Sequence, residues 1–301
     1  MKIGLLTTHP KSYNVKRLVD EIKLLGHTPI IVNYLECYAN IGRSNPQVFY
    51  KGKSLKKLDA VMPQIAVPHT EFGVSLIRQF EMMGTFTTVG SLALARARDK
   101  VRQLQIFSKS NIDIPKSAFA HASSDATELI NLVGGAPLVI KVTMGSQGNG
   151  VMLAETNRTA KPAIEAFLSQ SVNILVQEYI EESEGKDIRV IVINGKVIAS
   201  MQRTAADGEF RSNIYKGGDA HPIKLTRDER QIAIMATKLT GLRIAGVDII
   251  QSERGPLVTE VNAYPNMEGI ETTTKVNVAG AVAEYIEKSG SHGIKKDIVG
   301  V

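Results

Sequence analysis

The chain has 301 residues, of which 43% are apolar, and carries a net charge of +6 with a sequence pI of about 9.2. It is long enough for two domains, or for one domain with a large insertion. No apolar run reaches the roughly 18 residues of a membrane-spanning helix, and the N-terminal segment turns polar too early for a signal peptide, so we expect a cytoplasmic protein with no membrane partner.

The basic charge favours acidic partners without identifying one. Eight Tyr, eight Phe and no Trp supply few aromatic rings for base stacking, which argues against a primary nucleic-acid reader. The single cysteine, Cys37, excludes an internal disulfide, and we expect it to be a small core residue. Six scattered histidines form no zinc-binding pattern.

The N-terminal third predicts a small parallel sheet with helices, because apolar strands alternate with an amphipathic helix over residues 15–25. The predicted strands cover residues 2–6, 29–32, 59–62 and 85–89. No GxGxxG follows the first strand, so the expected domain, residues 1–92, is doubly wound but lacks a dinucleotide fingerprint. Its expected roles are scaffold and part of an acceptor site.

Residues 92–110 predict one long helix that begins with the basic residues Arg96, Arg98 and Lys100. Such a group is most often a solvated face, but Lys100 could reach a phosphate if an anionic ligand lies nearby. Residues 111–115 break the helix and mark the passage into a second domain.

A glycine-rich loop follows an apolar strand at residues 138–142. Lys141 lies within that strand and needs either a position at the rim or an anionic partner. The loop, residues 145–150, has three glycines in six positions, so its backbone can approach phosphate oxygens closely. A flexible hairpin turn would look the same, and the loop does not match the P-loop pattern.

Strands are next predicted at residues 174–177, 187–193 and 196–202, the last two joined by an Asn-Gly turn. Asp187 and Arg189 share one face of the second of these strands, as a local salt bridge or as a ligand-facing edge. Further on, a capping box predicts the start of a helix that ends at a glycine, and an amphipathic helix precedes a polar tail from about residue 289. The capping box is Thr226 with Glu229.

Residues 246–262, GVDIIQSERGPLVTEVN, predict an antiparallel hairpin, because two apolar runs flank a polar loop that ends in glycine. A three-residue turn with that glycine in the left-handed conformation places Asp248 directly across from Glu260. Asn262 shares the face of Glu260, so the three side chains are expected within roughly 5 Å of one another.

An all-oxygen set without histidine or thiolate suits a hard ion such as Mg²⁺, which also relieves the repulsion between two adjacent carboxylates. From the hairpin alone, the alternative is that both acids are solvated on the outer face of a sheet.

In this order, the motifs resemble the ATP-grasp ligases, and within them the RimK-like branch of ribosomal-protein glutamate ligases. The motifs are RARDK, PLVIKVTMGSQGNGV, QEYI with DIRV, FRSN, and GVDI with EVNAYPNMEGIE. The resemblance covers nearly the whole chain. It implies an α/β fold of the ATP-grasp type, in which a small parallel N-terminal domain precedes two lobes with antiparallel sheets. The implied boundaries are 1–92, 93–178, 179–288 and a tail at 289–301.

The resemblance also implies roles for individual positions. Lys141 would hold the α- and β-phosphates, the glycine loop would close over the transferred phosphate, backbone groups at 178–179 would bind adenine, and Asp187 would face the sugar. Arg189 and Arg203 would act at the phosphate and the substrate carboxylate, and Arg211, with Ser212 and Asn213, would complete the nucleotide and acyl-phosphate site; these three arginines are the implied catalytic residues. The implied ATP-binding positions are Lys100, Lys141, Gly145, Ser146, Gln147, Gly148, Glu178, Tyr179, Asp187, Arg211, Ser212 and Asn213.

Two Mg²⁺ or Mn²⁺ ions would be held by Asp248, Glu260 and Asn262, with Glu260 bridging them. One departure from the family pattern follows this site. The family usually has a small residue, a proline and a glycine, whereas this chain has Ala263-Tyr264-Pro265-Asn266. Tyr264 and Asn266 lie where the carboxylate substrate is expected, so the change bears on substrate choice and leaves the metal ligands untouched.

The implied activity is ATP-dependent formation of a peptide bond through an acyl phosphate, adding L-glutamate to the C-terminus of a ribosomal protein or peptide, with release of ADP. A homo-oligomer is expected. Two alternatives stay open: a ligase that joins glutamate to a small molecule or to itself, and a nucleotide-binding regulatory module without turnover.

Overall fold

The computed structural model describes residues 1–42, 44–121, 125–143, 150–206, 209 and 218–290. Its architecture is mixed α/β, with one parallel and three antiparallel sheets in this part of the chain. The polar tail from residue 291 onward lies outside the described residues.

The N-terminal elements alternate strands and helices. They are β1 (Lys2–Leu6), α1 (Tyr13–Leu24), β2 (Thr28–Val32), β3 (Cys37–Asn40), β4 (Gln47–Tyr50), β5 (Lys53–Ser54), β6 (Ala60–Pro63), α2 (Thr70–Met82), β7 (Phe86–Thr87), α3 (Ser91–Arg98) and α4 (Lys100–Lys109). The order β2-β1-β6-β7 is parallel throughout, which confirms the predicted doubly wound sheet. The small antiparallel sheet β3-β4-β5 was not predicted, because its short strands are largely exposed and lack apolar alternation.

The prediction of one helix over residues 92–110 is wrong, since the chain breaks at Asp99 into α3 and α4. Asp99 adopts an extended conformation (φ −98°, ψ 100°), and its side chain accepts a hydrogen bond from Arg102 N at 2.9 Å. An aspartate that caps a helix in this way competes with continuation of the preceding helix. The break sets the direction of Lys100, the first residue of α4, independently of α3.

A second group of elements forms an antiparallel sheet, here called the lid sheet, in the order β10-β9-β11-β8. Two helices pack on it and give it a separate apolar core. The second helix begins with a capping box formed by Thr156 and Thr159. The elements are β8 (Ser117–Ala120), α5 (Ala126–Leu132), β9 (Leu138–Val142), β10 (Val151–Ala154), α6 (Asn157–Ser169) and β11 (Ile174–Glu178).

The remaining elements build a five-stranded antiparallel sheet, here called the large sheet, in the order β14-β13-β12-β15-β16. The predicted Asn194-Gly195 turn is confirmed, with φ of 48° and 74°. The capping box of Thr226 and Glu229 is confirmed as the start of α7. The elements are β12 (Lys186–Ile193), β13 (Lys196–Thr204), β14 (Asp219–Pro222), α7 (Arg227–Thr240), β15 (Ile244–Ser252), β16 (Gly255–Asn262), α8 (Met267–Thr274) and α9 (Val278–Gly290).

One continuous apolar core joins the parallel sheet to the large sheet. It contains Leu6 of the parallel sheet, Phe80 of helix α2, and Val190 and Val247 of the large sheet, all inaccessible to solvent. Gln103 joins helix α4 to strand β16 of the large sheet, because its side chain accepts a hydrogen bond from Val261 N at 2.7 Å. The hairpin of β15 and β16 is therefore held against α3 and α4. Among the described residues, no helix has the length and apolar character required to cross a membrane.

Candidate active site

Asp248 pairs with Glu260 across the hairpin, as predicted, although the turn differs from the prediction. Ser252 pairs with Gly255, so the turn has two residues and not three. A bulge beside Asp248 restores the register, because Thr259 is an extra residue on β16 between the partners of Asp248 and Ile249. Gly255 adopts the predicted positive φ, at 103°.

Asn262 lies next to Asp248 on the same face of the hairpin. It pairs with Gly246, and its Nδ2 is 3.4 Å from Asp248 Oδ2. Gly246 permits this close packing, since a Cβ there would lie 2.9 Å from the Pro265 side chain and 3.4 Å from Arg189 Nη1. The glycine of the GVDI motif thus makes room for a guanidinium beside Asp248.

Asp248 is enclosed by two arginines from neighbouring strands. Arg189 in β12 binds both of its carboxylate oxygens, with Nη2 at 2.8 Å from Oδ2, and Arg203 in β13 approaches Oδ1 at 3.1 Å. Arg203 also donates to both oxygens of Asp187, with Nε at 2.7 Å. Burial favours a raised pKa for Asp248, but the two guanidinium groups outweigh it and hold this pKa below its ordinary value.

These ion pairs bear on the two alternatives left open for Asp187 and Arg189, a salt bridge between them or a ligand-facing edge. They do not form a salt bridge with each other in the described hydrogen-bond network: Arg189 serves Asp248 and Asp187 serves Arg203. The four groups balance in charge, and only about a tenth of each side chain is exposed. A buried balanced network of this kind holds its members in fixed positions.

Glu260 is held by a lysine from helix α4, which packs against the hairpin. Lys100, the first residue of α4, donates to Glu260 Oε1 at 2.9 Å. Lys141 of the lid sheet lies within the electrostatic reach of Glu260, Lys100 and Asp248. Burial lowers the pKa of the Lys141 ammonium to about 8, against the attraction of the two carboxylates. Three separate parts of the chain thus converge on the hairpin.

The residues on this face fit a divalent cation. Two carboxylates and an amide oxygen form a hard donor set. Among the described residues, no three His, Cys, Asp or Glu side chains form a metal-binding group. Mg²⁺ in phosphate-transfer sites is bound by one or two carboxylates together with substrate phosphates, and a site with few protein ligands agrees with that pattern. Arg189, Arg203 and Lys100 already bind these carboxylates, so a cation would share them or displace a side chain.

The predicted adenine-binding residues, Glu178 and Tyr179, lie at the end of β11. The N–H groups of Glu178 and Tyr179 donate to Lys116 O and Pro137 O, at 3.0 and 3.1 Å, so both N–H groups already have partners within the protein. The Glu178 carboxylate accepts hydrogen bonds from Lys116 N and from Arg254. These bonds outweigh burial and lower the pKa of Glu178.

A cavity of about 240 Å³ opens beside Asp187, on the predicted sugar side. It is lined by Glu182, Ser183, Lys186, Asp187, Ile188, Gln202 and Gln251. Other predicted positions lie outside the described residues, namely Gly145, Ser146, Gln147 and Gly148 of the glycine loop and Arg211, Ser212 and Asn213.

The two residues that depart from the family pattern, Tyr264 and Asn266, both take part in holding the fold together. Tyr264 packs against an apolar core, and burial raises the pKa of its hydroxyl. The Asn266 side chain accepts from Glu268 N at 3.0 Å and caps α8. The adjoining backbone is tied to helix α1, because Asn14 of that helix donates to Pro265 O and accepts from Met267 N.

Sequence reasoning missed two residues near the site. Gln64 follows β6 and is only 8% exposed; its signal was a polar side chain directly after a buried parallel strand. Arg98 was assigned to a basic face that is most often solvated, yet its guanidinium donates to Ile65 O. The helical pattern gave no signal for this contact, because Ile65 is 33 residues away in the sequence.

Comparisons with known proteins identify the family of this chain. Residues 97–286 match the model of the RimK-like ATP-grasp domain, and residues 1–94 match the RimK PreATP-grasp domain. A protein of Azotobacter vinelandii named "Probable alpha-L-glutamate ligase" is 49% identical over 98% of both chains. One of the same name from Pseudomonas fluorescens is 51% identical over 96% of both. The solved structure of the ATP-grasp ligase PsnB with a precursor variant, Mg and ADP has a TM-score of 0.76, at 18% identity, covering 96% of this chain and 98% of that one.

Proposed function

Because this chain belongs to the RimK-like ATP-grasp family of ADP-forming ligases, we propose that it joins L-glutamate to the C-terminal carboxylate of a peptide or ribosomal protein. The observation that supports this most directly is the convergence of Lys141, Lys100 and two arginines on the Asp248–Glu260 pair. Such a site contains cations for phosphates and carboxylates for divalent ions, and the reaction needs both.

The carboxylate must first be activated, because hydroxide is too poor a leaving group for an amine to displace it directly. A carboxylate oxygen attacks the γ-phosphorus of ATP, the bond to the β-phosphate oxygen breaks, and ADP leaves. The amine of glutamate then attacks the carbonyl carbon of the acyl phosphate. A C–N bond forms, inorganic phosphate leaves, and the amine loses a proton.

The chain's own residues position these reactants. Lys141 would bind the α- and β-phosphates, with Lys100 beside it for the transferred group. Arg189 and Arg203 would neutralise the phosphate and the substrate carboxylate, which they can do only by sharing their present partner, Asp248. Neutralising developing charge without reorganisation is the largest catalytic contribution available to a site without a nucleophile.

Asp248, Glu260 and Asn262 would hold two Mg²⁺ or Mn²⁺ ions, which when bound neutralise phosphate oxygens and align the two reacting groups. Glu178, Tyr179 and Asp187 would hold the adenosine. The glycine loop (Gly145, Ser146, Gln147, Gly148) and the segment Arg211, Ser212 and Asn213 would complete the phosphate site. We place the reaction in the cytoplasm, in a homo-oligomer.

The test is incubation with ATP, Mg²⁺, glutamate and candidate peptides. We expect ADP and phosphate, with each peptide growing by whole glutamyl units in mass spectrometry. Release of AMP and pyrophosphate would contradict the mechanism. Growth of a glutamate ladder without any peptide would identify the self-polymerising alternative, and ATP binding without turnover over a broad set of acceptors would identify the regulatory module.

A further inference from the structure

Two buried nitrogen atoms at one edge of the parallel sheet have no hydrogen-bond partner among the described residues. They are Gln64 Nε2 and Arg98 Nε. Buried donors are almost always paired in folded proteins, so each exception requires an explanation. Both atoms are N–H donors, and together they would suit one acceptor group.

Gln64 lies where the order of strands in the parallel sheet reverses, between β1 and β6. From β1 the chain moves outward to β2 on one side, whereas β6 and β7 extend the sheet on the other. Gln64 N donates to Leu6 O at 2.8 Å, which places this residue beside the carboxyl end of β1. Open parallel sheets bind ligands in the crevice at such switch points.

The same edge is electrically positive. Helix α1 follows β1 and begins there, with no acidic residue in its first turn, and its N-cap residue Ser12 makes no side-chain capping bond among the described residues. The N-terminal N–H groups of a helix favour an anion.

Arg98 connects this edge to the hairpin. Its Nη2 donates to Ile65 O, the residue after Gln64, at 2.5 Å. Burial lowers the pKa of Arg98, while Glu260 and Tyr34 act in the opposite direction, so Arg98 lies within the field of Glu260. Lys100, two residues on, binds Glu260 directly. Arg98 thus contacts the segment that follows β6 and also interacts electrostatically with the hairpin.

We propose that Arg98 and Gln64 bind the side-chain carboxylate of the incoming L-glutamate. This inference rests on the proposed function. A guanidinium fork and an amide NH₂ match the two oxygens of a carboxylate. The side-chain carboxylate is the better fit of glutamate's two, because it extends roughly 5 Å from the reacting amine and can reach a cation that does not bind the hairpin carboxylates directly. Arg98 and Gln64 then select the amino acid, and the hairpin carries out the chemistry.

Calorimetry with glutamate and with glutamine, which has the same shape but no side-chain charge, tests this proposal. Each titration uses protein saturated with a non-hydrolysable ATP analogue and Mg²⁺. We expect wild type to prefer glutamate, and Arg98→Gln to weaken glutamate binding about 10- to 100-fold while changing glutamine binding less than about threefold. Arg96→Gln, on the same helix, is the matched control and should bind glutamate as wild type does.

A second variant, Gln64→Leu, tests the same site if Arg98→Gln does not fold. It removes an unpaired amide from a buried position, so its melting temperature should equal or exceed that of wild type, and glutamate binding should weaken about three- to tenfold. Equal losses for glutamate and glutamine, unchanged glutamate binding in both variants, or weakened binding of the peptide acceptor alone would each overturn the assignment. ADP release by wild type is scored separately, so a failed ligase assay with Arg98-dependent glutamate binding rejects the proposed function and not this site.

Discussion

Lys100 Nζ lies 2.9 Å from Glu260 Oε1 and covers the carboxylate that faces Asp248 across the hairpin. An ammonium in this position offsets the repulsion between two acids on one face. Both side chains are partly accessible, at 19% and 34%, so a bound ion and phosphate have access to the pair. The Lys100 ammonium therefore stabilises the hairpin, and the Glu260 carboxylate can still bind a divalent ion in its place.

The first prediction concerns the charge of Glu260. Glu260→Gln keeps an acceptor for Lys100, so the free energy of unfolding should stay within about 1 kcal/mol of wild type. Turnover should fall at least about 100-fold, because an amide cannot replace a carboxylate between two cations. Chemical unfolding and ADP release at saturating Mg²⁺ measure the two effects. Glu253→Gln, in the turn of the same hairpin, is the control and should retain activity; activity in Glu260→Gln close to that of the control would remove Glu260 from the metal site.

Lys141 gives a prediction about pH. Its folded-state pKa of about 8 lies below the ordinary value of 10.5, so the unfolded chain binds more protons between these values and stability from this residue rises with pH through that window. Lys141→Met should therefore be more stable than wild type at pH 7, by about 1–3 kcal/mol, and this advantage should shrink between pH 8 and 10.5. Urea unfolding at pH 7, 9 and 10 measures it. A difference that stays constant across this range would show that Lys141 titrates normally.

The same lysine should affect nucleotide binding. A phosphate favours the ammonium form, so wild-type affinity for ATP should weaken as pH rises above about 8. Lys141→Met should bind ATP about 10- to 100-fold more weakly at pH 7 and lose this pH dependence. Calorimetry at pH 7 and 9 provides the comparison, with Lys161→Met, an exposed lysine of α6, as control. Wild-type ATP affinity that is unchanged across this range would place the nucleotide's phosphates away from Lys141.

Asp99 is predicted to position the site without touching it. Its side chain caps α4, and loss of such a cap costs about 1 kcal/mol. Asp99→Ala should lower the free energy of unfolding by that amount and weaken ATP binding, since Arg98 and Lys100 flank the cap. Asp99→Ser restores a capping oxygen and should recover most of both losses. If Asp99→Ala and Asp99→Ser behave alike in urea unfolding and ATP titration, the cap does not orient its neighbours.

Cys37 should be chemically inert in the folded protein. It is 6% exposed, and burial, followed by the charge of Glu36, raises the pKa of its thiol to about 12. Thiolate is the reactive form, so at pH 8 a thiol reagent should react only after urea is added. Because the chain has a single cysteine, absorbance of the released reagent counts that reaction directly. Stoichiometric labelling of native protein within minutes would contradict this burial.

The sequence by itself determined the local elements and the order of the motifs. Apolar periodicity gave the parallel strands, the capping box gave the start of α7, and the spacing in β15 and β16 gave the Asp248–Glu260 pair. These features depend on residues close in sequence, where side-chain direction and turn chemistry act directly. The turn itself was one residue shorter than expected, and the bulge at Thr259 compensated, which the alternation of side chains does not reveal.

Only the tertiary structure decided which charges meet. The cations at the hairpin come from α4, β9, β12 and β13, and a periodic pattern states which face of an element is buried but not which other element covers it. Arg98 illustrates this most clearly. Its guanidinium donates to Ile65 O, 33 residues away in the sequence, and no local pattern indicates that partner. Sequence therefore determined the acids of the candidate site, and packing selected their partners.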